Sequence, residues 1–86
     1  MANLDVRRAV KVAKEYIAEL FSEEGIAEVG LEEVEMTGDK WNVTIGFVRP
    51  FRSRPDDILA RYERQYKVVC IDDQFGRPES IKNRDV

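Results

Sequence analysis

Histidine is missing from this 86-residue sequence, and cysteine occurs once, as Cys70. Without histidine the chain has no Ser-His-Asp or Cys-His catalytic arrangement and no imidazole metal ligand. A single cysteine cannot form a disulfide within the chain, whereas small secreted domains commonly depend on disulfides. We therefore expect a cytoplasmic protein that is not an enzyme, with no catalytic, cofactor-binding or metal-binding residues and no cofactor.

Long apolar segments and glycine-rich loops are also missing. No stretch approaches the roughly 20 apolar residues of a membrane-spanning helix. The N-terminus lacks the basic and then apolar segments that are typical of a signal peptide. The five glycines are scattered along the chain, so no phosphate-binding loop is indicated. We expect a soluble protein that makes no contact with a membrane.

Composition and charge indicate a folded domain with two unlike halves. Hydrophobic residues make up 43% and charged residues 36% of the chain, which is typical of a globular protein. The length is sufficient for one domain, residues 1–86. Residues 1–39 have a net charge of −6, whereas residues 40–86 have a net charge of +3. This asymmetry bears on surfaces and partners, not on the fold.

The first predicted element is an amphipathic helix from about Leu4 to Glu24. Its apolar residues recur at spacings that place them on one face of a helix, and they are Val6, Val10, Ala13, Ile17, Leu20 and Phe21. Asn3 is the expected N-cap. Gly25 is expected to take the left-handed conformation that ends the helix.

Two strands are predicted after the helix. Leu31, Val34 and Met36 lie among glutamates, and their uneven spacing predicts a bulge near Glu32–Glu33. Residues 37–40 have turn chemistry. Strict alternation then predicts a second strand, and the four residues that we expect to face the helix are Trp41, Val43, Ile45 and Phe47.

The third predicted strand has apolar residues on both faces. We assign Tyr62, Tyr66, Val68 and Cys70 to the face that contacts the helix, which makes Cys70 a core residue. The other face then carries Val69 and Ile71. With Val48 from the second strand, these two would form an apolar patch on the uncovered face, suited to a homodimer or another partner. The alternatives are scattered surface residues, or cover by residues 51–61.

A hairpin loop at residues 72–76 and a short edge strand from about Pro78 to Lys82 complete the predicted order. Because of Pro50 and Pro55, we exclude residues 49–61 from any central strand and expect a loop or a short helix there. The predicted fold class is therefore α+β, with an N-terminal helix packed on a four-stranded antiparallel meander sheet.

Two resemblances to known families follow from short motifs. Residues 66–72, Tyr-Lys-Val-Val-Cys-Ile-Asp, with the later Gly76 resemble the closing hairpin of PepSY-like and cystatin-like small domains. The PepSY-like resemblance implies a link to peptidases or their control. The order of Trp41, Pro-Asp-Asp-Ile-Leu-Ala at residues 55–60, Tyr62-Glu63 and the 72–76 turn is also similar to gas-vesicle protein O.

The candidate binding residues lie mainly in an arginine segment, residues 49–64. Its members are Arg49, Phe51, Arg52, Arg54, Arg61 and Arg64. Arginine suits bidentate contact with carboxylate or phosphate, and Phe51 suits stacking or a partner's pocket. Three interpretations stay open: a solvated basic loop, a site for an acidic protein or peptide, and a nucleic-acid site. The pI near 5.0 argues against nucleic acid.

Two acidic clusters admit plainer interpretations. Asp72 and Asp73 offer oxygen ligands for a divalent cation, but lack the further acids of a calcium loop, so a solvated hairpin turn is favoured. The run that includes Glu32, Glu33 and Glu35 is either a solvated face or a site for a basic partner. We expect a non-enzymatic protein-interaction or regulatory module of unknown pathway. The alternative is a nucleic-acid-associated accessory protein that uses residues 49–64.

The arginine segment generates a prediction for the double substitution Arg52→Glu and Arg54→Glu. The melting temperature should change little, because exposed ion pairs contribute about 0–1 kcal/mol. Association with an acidic partner should become slower, because charges at the rim of an interface steer encounter. Melting curves and association kinetics at two salt concentrations test both points. A large fall in melting temperature would instead make these arginines structural.

Overall fold

The helix is followed by four strands in the order in which they occur along the chain. The computed structural model describes residues 4–50 and 62–84. The elements are α1 (Val6–Leu20), β1 (Ala27–Thr37), β2 (Lys40–Pro50), β3 (Tyr62–Asp72) and β4 (Pro78–Asn83). The sheet order is β1-β2-β3-β4, every neighbouring pair is antiparallel, and α1 contacts the sheet. The predicted fold class is confirmed; the choice between loop and helix at 51–61 lies outside the described residues.

Helix α1 is shorter than predicted at both ends. Asp5, not Asn3, is the N-cap, and its carboxylate accepts a hydrogen bond from the backbone N–H of Arg8 at 2.8 Å. Asp5 is the N-cap because the side chain that reaches the free N–H groups of the first turn fixes the start of a helix. The helix ends at Leu20, and Gly25 (φ 68°) takes the predicted left-handed conformation in the turn that follows.

Strands β1 and β2 form a hairpin whose register contains two irregularities. A two-residue turn, Gly38-Asp39, joins the strands, and Gly38 has a φ of 63°. The register shifts between Leu31 and Glu33, which confirms the predicted bulge, and also between Ala27 and Gly30. Glu28, inside the second irregularity, has a φ of 53°, a conformation that non-glycine residues seldom adopt.

The core lies between α1 and the two central strands. Its fully buried members are Ala9, Ala13, Ile17, Val43, Ile45, Phe47, Val69 and Ile71. Trp41 is partly buried against this cluster, so all four β2 residues predicted to face the helix do so. The two alanines are small, and this lets the helix backbone approach the sheet closely.

The predicted facing of β3 is wrong. Val69 pairs with Val43 and Ile71 pairs with Trp41, so both side chains point toward the helix, and neither is exposed. Cys70 consequently lies on the opposite face and is half-buried, not a core residue. Directly paired residues of antiparallel strands share a face, so the register with β2 decides the facing of β3.

Pro50 belongs to a strand, contrary to the prediction. It is the last residue of β2 and pairs with Tyr62. The pairing of β2 with β1 ends at Val48, so Pro50 lies beyond the reach of β1. At this position no described strand lies on the β1 side, so the N–H that proline lacks is not needed for a hydrogen bond there. Within the described part of the chain, no helix has the length and apolarity to cross a bilayer.

The hairpin between β3 and β4 is held by two carboxylates. Asp72 accepts a hydrogen bond from the backbone N–H of Phe75 at 2.6 Å, and Asp73 accepts one from the indole N–H of Trp41 at 2.7 Å. The backbone N–H of Leu4 reaches the Asp73 carbonyl at 3.3 Å. The turn is confirmed, but these aspartates are nearly buried instead of solvated.

The facing of β3 generates a prediction for two neighbouring valines. Val69→Lys should unfold the protein, because it places an ammonium group in the core at a cost above about 4 kcal/mol. Val68→Lys, the matched control on the other face, should leave a cooperative transition. Circular dichroism and urea denaturation of both variants measure the difference. Equal stability of the two variants would contradict the register.

Candidate interaction surface

The two arginines of the arginine segment that the structure describes do not form one patch. Arg49 follows Phe47 at a spacing of two on β2, so it lies on the face that α1 covers, here called the helix face. Arg64 pairs with Val48 and lies on the opposite face, here called the open face. Arg49 and Arg64 therefore do not contribute to one common surface. Phe51, Arg52, Arg54 and Arg61 lie outside the described residues.

Arg49 packs on the aromatic residue that follows the helix. Its guanidinium carbon lies 5.0 Å from the ring centroid of Phe21, which in turn lies 5.3 Å from the ring of Phe47. Its Nε lies 3.6 Å from a Glu24 carboxylate oxygen and is buried without a hydrogen-bond acceptor among the described residues. A cation over an aromatic ring near a helix C-terminus is electrostatically favourable. Arg49 is thus engaged within the fold.

Lys67 is the second cation at this end of the helix face. It pairs with Ile45 across the strands, lies 5.8 Å from the Phe21 ring centroid and donates a hydrogen bond to the side-chain oxygen of Asn83. Burial lowers the pKa of the Lys67 ammonium, and the charge of Arg49 lowers it further. Both cations are held close to the core.

Arg64 crosses the open face from β3 to β1. One guanidinium nitrogen donates to the Glu32 carboxylate at 2.7 Å, and the other donates to the Glu28 carbonyl at 3.2 Å. The side chain passes over Gly46 of β2, where an added Cβ would lie 2.7 Å from both Arg64 Nη2 and Glu32 Oε2. The Glu32 hydrogen bond raises the pKa of Arg64. Gly46 therefore provides the room for a link between two strands that are not neighbours.

Arg84 makes a second link across the open face. Its guanidinium donates to the Thr44 hydroxyl at 2.9 Å and forms an ion pair with Glu33. Its backbone N–H donates to the Tyr66 carbonyl at 3.1 Å. A cleft of about 190 Å³ lies between the two links, and its lining residues are Glu32, Glu33, Thr44, Tyr66 and Arg84. Each of the two glutamates that line the cleft is already paired with an arginine. The cleft therefore presents no unpaired carboxylate to a ligand.

The apolar patch expected on the open face is not formed by the residues predicted for it. Val69 and Ile71 are core residues, so of the three only Val48 lies on the open face. Its companions there are Val68 and Cys70, all half-buried. The long side chains of the two arginine links cover the middle of this face and leave Thr44 almost without exposure. The open face is mainly polar.

An apolar opening lies on the other side of the sheet, between α1 and β1. It is here called the α1–β1 groove, it has a volume of about 280 Å³, and its lining residues are Val6, Arg7, Val10 and Leu31. Val6 is 45% exposed and Leu31 is 43% exposed. Met36, farther along the helix face of β1, is 44% exposed. Large apolar side chains that are exposed together are typical of a binding surface.

Strand β1 is also an edge of the sheet and presents two different faces. Val34 and Met36 pair with core residues of β2, so they lie on the helix face. Glu33 and Glu35 pair with Thr44 and Asn42 on the open face. Glu33 is bonded to Arg84, whereas Glu35 is exposed and has no ion pair among the residues described. The edge is therefore apolar on one face and acidic on the other.

The α1–β1 groove was not identified from the sequence, although part of its signal is present. The sequence predicts Leu31 and Met36 as apolar strand residues, and the acidic run beside them suits a basic partner. Their exposure depends on two facts of the tertiary structure: β1 is an edge strand, and α1 covers it incompletely. Periodicity reports which face is apolar, but not whether a neighbour covers that face.

No protein family, curated protein or solved structure matches this chain. The resemblances to PepSY-like and cystatin-like domains and to gas-vesicle protein O therefore stay predictions that no comparison tests. Among residues 4–50 and 62–84, no group of three or more acidic or cysteine side chains is placed to hold a metal ion.

The Arg64 link generates a double-mutant prediction. Gly46→Ala forces the Arg64–Glu32 pair apart, which offsets the roughly 0.5–1 kcal/mol gained when alanine replaces glycine in a strand. In an Arg64→Ala background the methyl group meets no guanidinium, and the Glu32 carboxylate is no longer held over Gly46, so the gain should appear. Urea denaturation of the four proteins should give a coupling energy of about 0.5–1 kcal/mol. Additive effects would show that the two residues do not interact.

Proposed function

We propose that this chain is a non-enzymatic protein-interaction module that binds its partner at the α1–β1 groove. The observation that supports the proposal is the joint exposure of Val6 and Leu31 around an apolar opening of about 280 Å³. Isolated exposed apolar residues are ordinary on a protein surface, whereas a groove built by two elements concentrates apolar area where one partner element can cover it.

The groove is more suitable for a protein partner than for a small molecule. Among the described residues it is open along the outer edge of β1, and the apolar surface continues to Met36. Small-molecule sites usually enclose most of the ligand surface. A partner helix or strand laid along this edge would instead cover the whole line of side chains. Burial of such side chains contributes about 25 cal/mol for each Å² removed from water.

The charged groups of the described residues give less support to the alternative, a nucleic-acid-associated accessory protein. Arg49 and Arg64 lie on opposite faces, and their charges are opposed by Glu24 and Glu32. Phosphate binding needs several cations on one surface. We favour the protein-interaction function for this reason. A reducing compartment such as the cytoplasm would suit the unpaired thiol of Cys70.

Substitution of the groove tests the proposed function. Leu31→Asp places a charge in the groove and should remove the partner captured by the parent protein from native lysate. Leu20→Asp is the matched control, because Leu20 is 48% exposed on the helix but does not line the groove. The measurement is quantitative mass spectrometry of proteins retained by each variant, with melting curves to show that all variants fold. A captured protein that both variants retain equally would contradict the proposed site.

A further inference from the structure

The pattern of side chains along β1 specifies more than an apolar groove. In the regularly paired segment, residues 33–37, the helix face carries Val34 and Met36, and the open face carries Glu33 and Glu35. The first half of the strand contains both register shifts. Bulges twist an edge and discourage pairing there, so 33–37 is the part of this edge that is regular enough to accept another strand.

An edge strand offers unpaired backbone N–H and C=O groups on its outer side. A segment that pairs with them places alternate side chains on the two faces of the sheet. On the helix face these side chains would continue the apolar line from Met36 and Val34 to Leu31 and the α1–β1 groove. On the open face they would lie beside Glu33 and Glu35, where opposite charge is favourable and like charge is not.

We propose that the partner binds as an added β-strand at residues 33–37, through an extended segment in which apolar residues alternate with lysine or arginine. This inference rests on the proposed function and adds the chemistry of the partner to it. The apolar side chains lie on the helix-face side of the edge, and a basic side chain pairs with Glu35 on the open face.

The charges on β1 favour a basic partner segment over the β1 strand of a second copy of this chain. Two β1 strands laid side by side would bring Glu33 and Glu35 against another set of glutamates, which disfavours pairing. Glu35 is the carboxylate best placed to select a basic partner, because Arg84 already neutralises Glu33 whereas Glu35 has no ion pair among the described residues. Arg7 lines the groove on the helix face of the sheet. It would therefore lie near the apolar side chains of the partner segment, and not near its basic ones.

The test uses three synthetic heptapeptides with blocked ends and the whole protein labelled with ¹⁵N. The first is Lys-Val-Lys-Leu-Lys-Val-Lys, and the second has the same composition in the order Val-Leu-Val-Lys-Lys-Lys-Lys. The third replaces each lysine of the first with glutamate. We expect only the first peptide to bind tightly enough to shift the amide resonances of residues 31–37, and we expect added salt to weaken its binding.

Two charge-reversal variants complete the experiment. Glu35→Lys should weaken binding of the first peptide by about tenfold, because a cross-strand attraction becomes a repulsion. Glu19→Lys is the control, since Glu19 is an exposed helix residue without an ion pair among the described residues. Melting curves check that both variants fold. Equal binding to Glu35→Lys and Glu19→Lys would overturn the proposal, as would equal binding of the first two peptides.

The remaining outcomes separate this inference from the function on which it rests. If the natural partner is lost from Leu31→Asp but no peptide shifts β1, the groove binds a partner of another chemistry, and only the strand proposal fails. If the first peptide binds β1 but the Leu31→Asp variant still retains the captured partner, the proposed function fails. If β1 resonances shift with protein concentration alone, a second copy of this chain occupies the edge, and the proposed occupant is wrong.

Discussion

The contact between the small-residue stripe of α1 and the central strands is the interaction on which the structure depends. Ala9 and Ala13 bring the helix backbone close to the sheet, and Ile17 is fully buried in the same core. Because the molecule has one described helix, this contact covers only one face of the sheet, and it covers that face unevenly. The exposed edge at Leu31 and the polar open face both follow from this limited cover.

The open face is stabilised in another way, by long side chains that cross it. Arg64 starts on β3 and Arg84 follows β4, and both reach glutamates on β1, so Arg64 spans β2 and Arg84 spans β3 and β2. Gly46 and Thr44 are buried beneath these side chains. Exposed ion pairs contribute little individually. Together they join β1 to strands on the far side of the sheet that are not its neighbours.

The elements were predictable where one face of an element was clearly apolar. The helix stripe, the alternation from Trp41 to Phe47 and the bulge beside Glu32 all follow from such patterns. The facing of β3 was not predictable, because Val68 and Cys70 on one face are as apolar as Val69 and Ile71 on the other. When both faces are apolar, only the register with a neighbouring strand distinguishes them. The groove depends on incomplete cover of β1, which no local pattern reports.

The order of elements along the chain has a consequence for synthesis on the ribosome. Helix α1 is made first, but its buried stripe packs against residues as late as Val69 and Ile71. Isolated helices of 15 residues are marginal in water, so α1 gains its stability only after most of the chain exists. Its apolar side chains stay exposed to chaperones during that interval. Helix α1 is therefore expected to become stable only after β3 has been made, although it precedes every strand of the sheet in the chain.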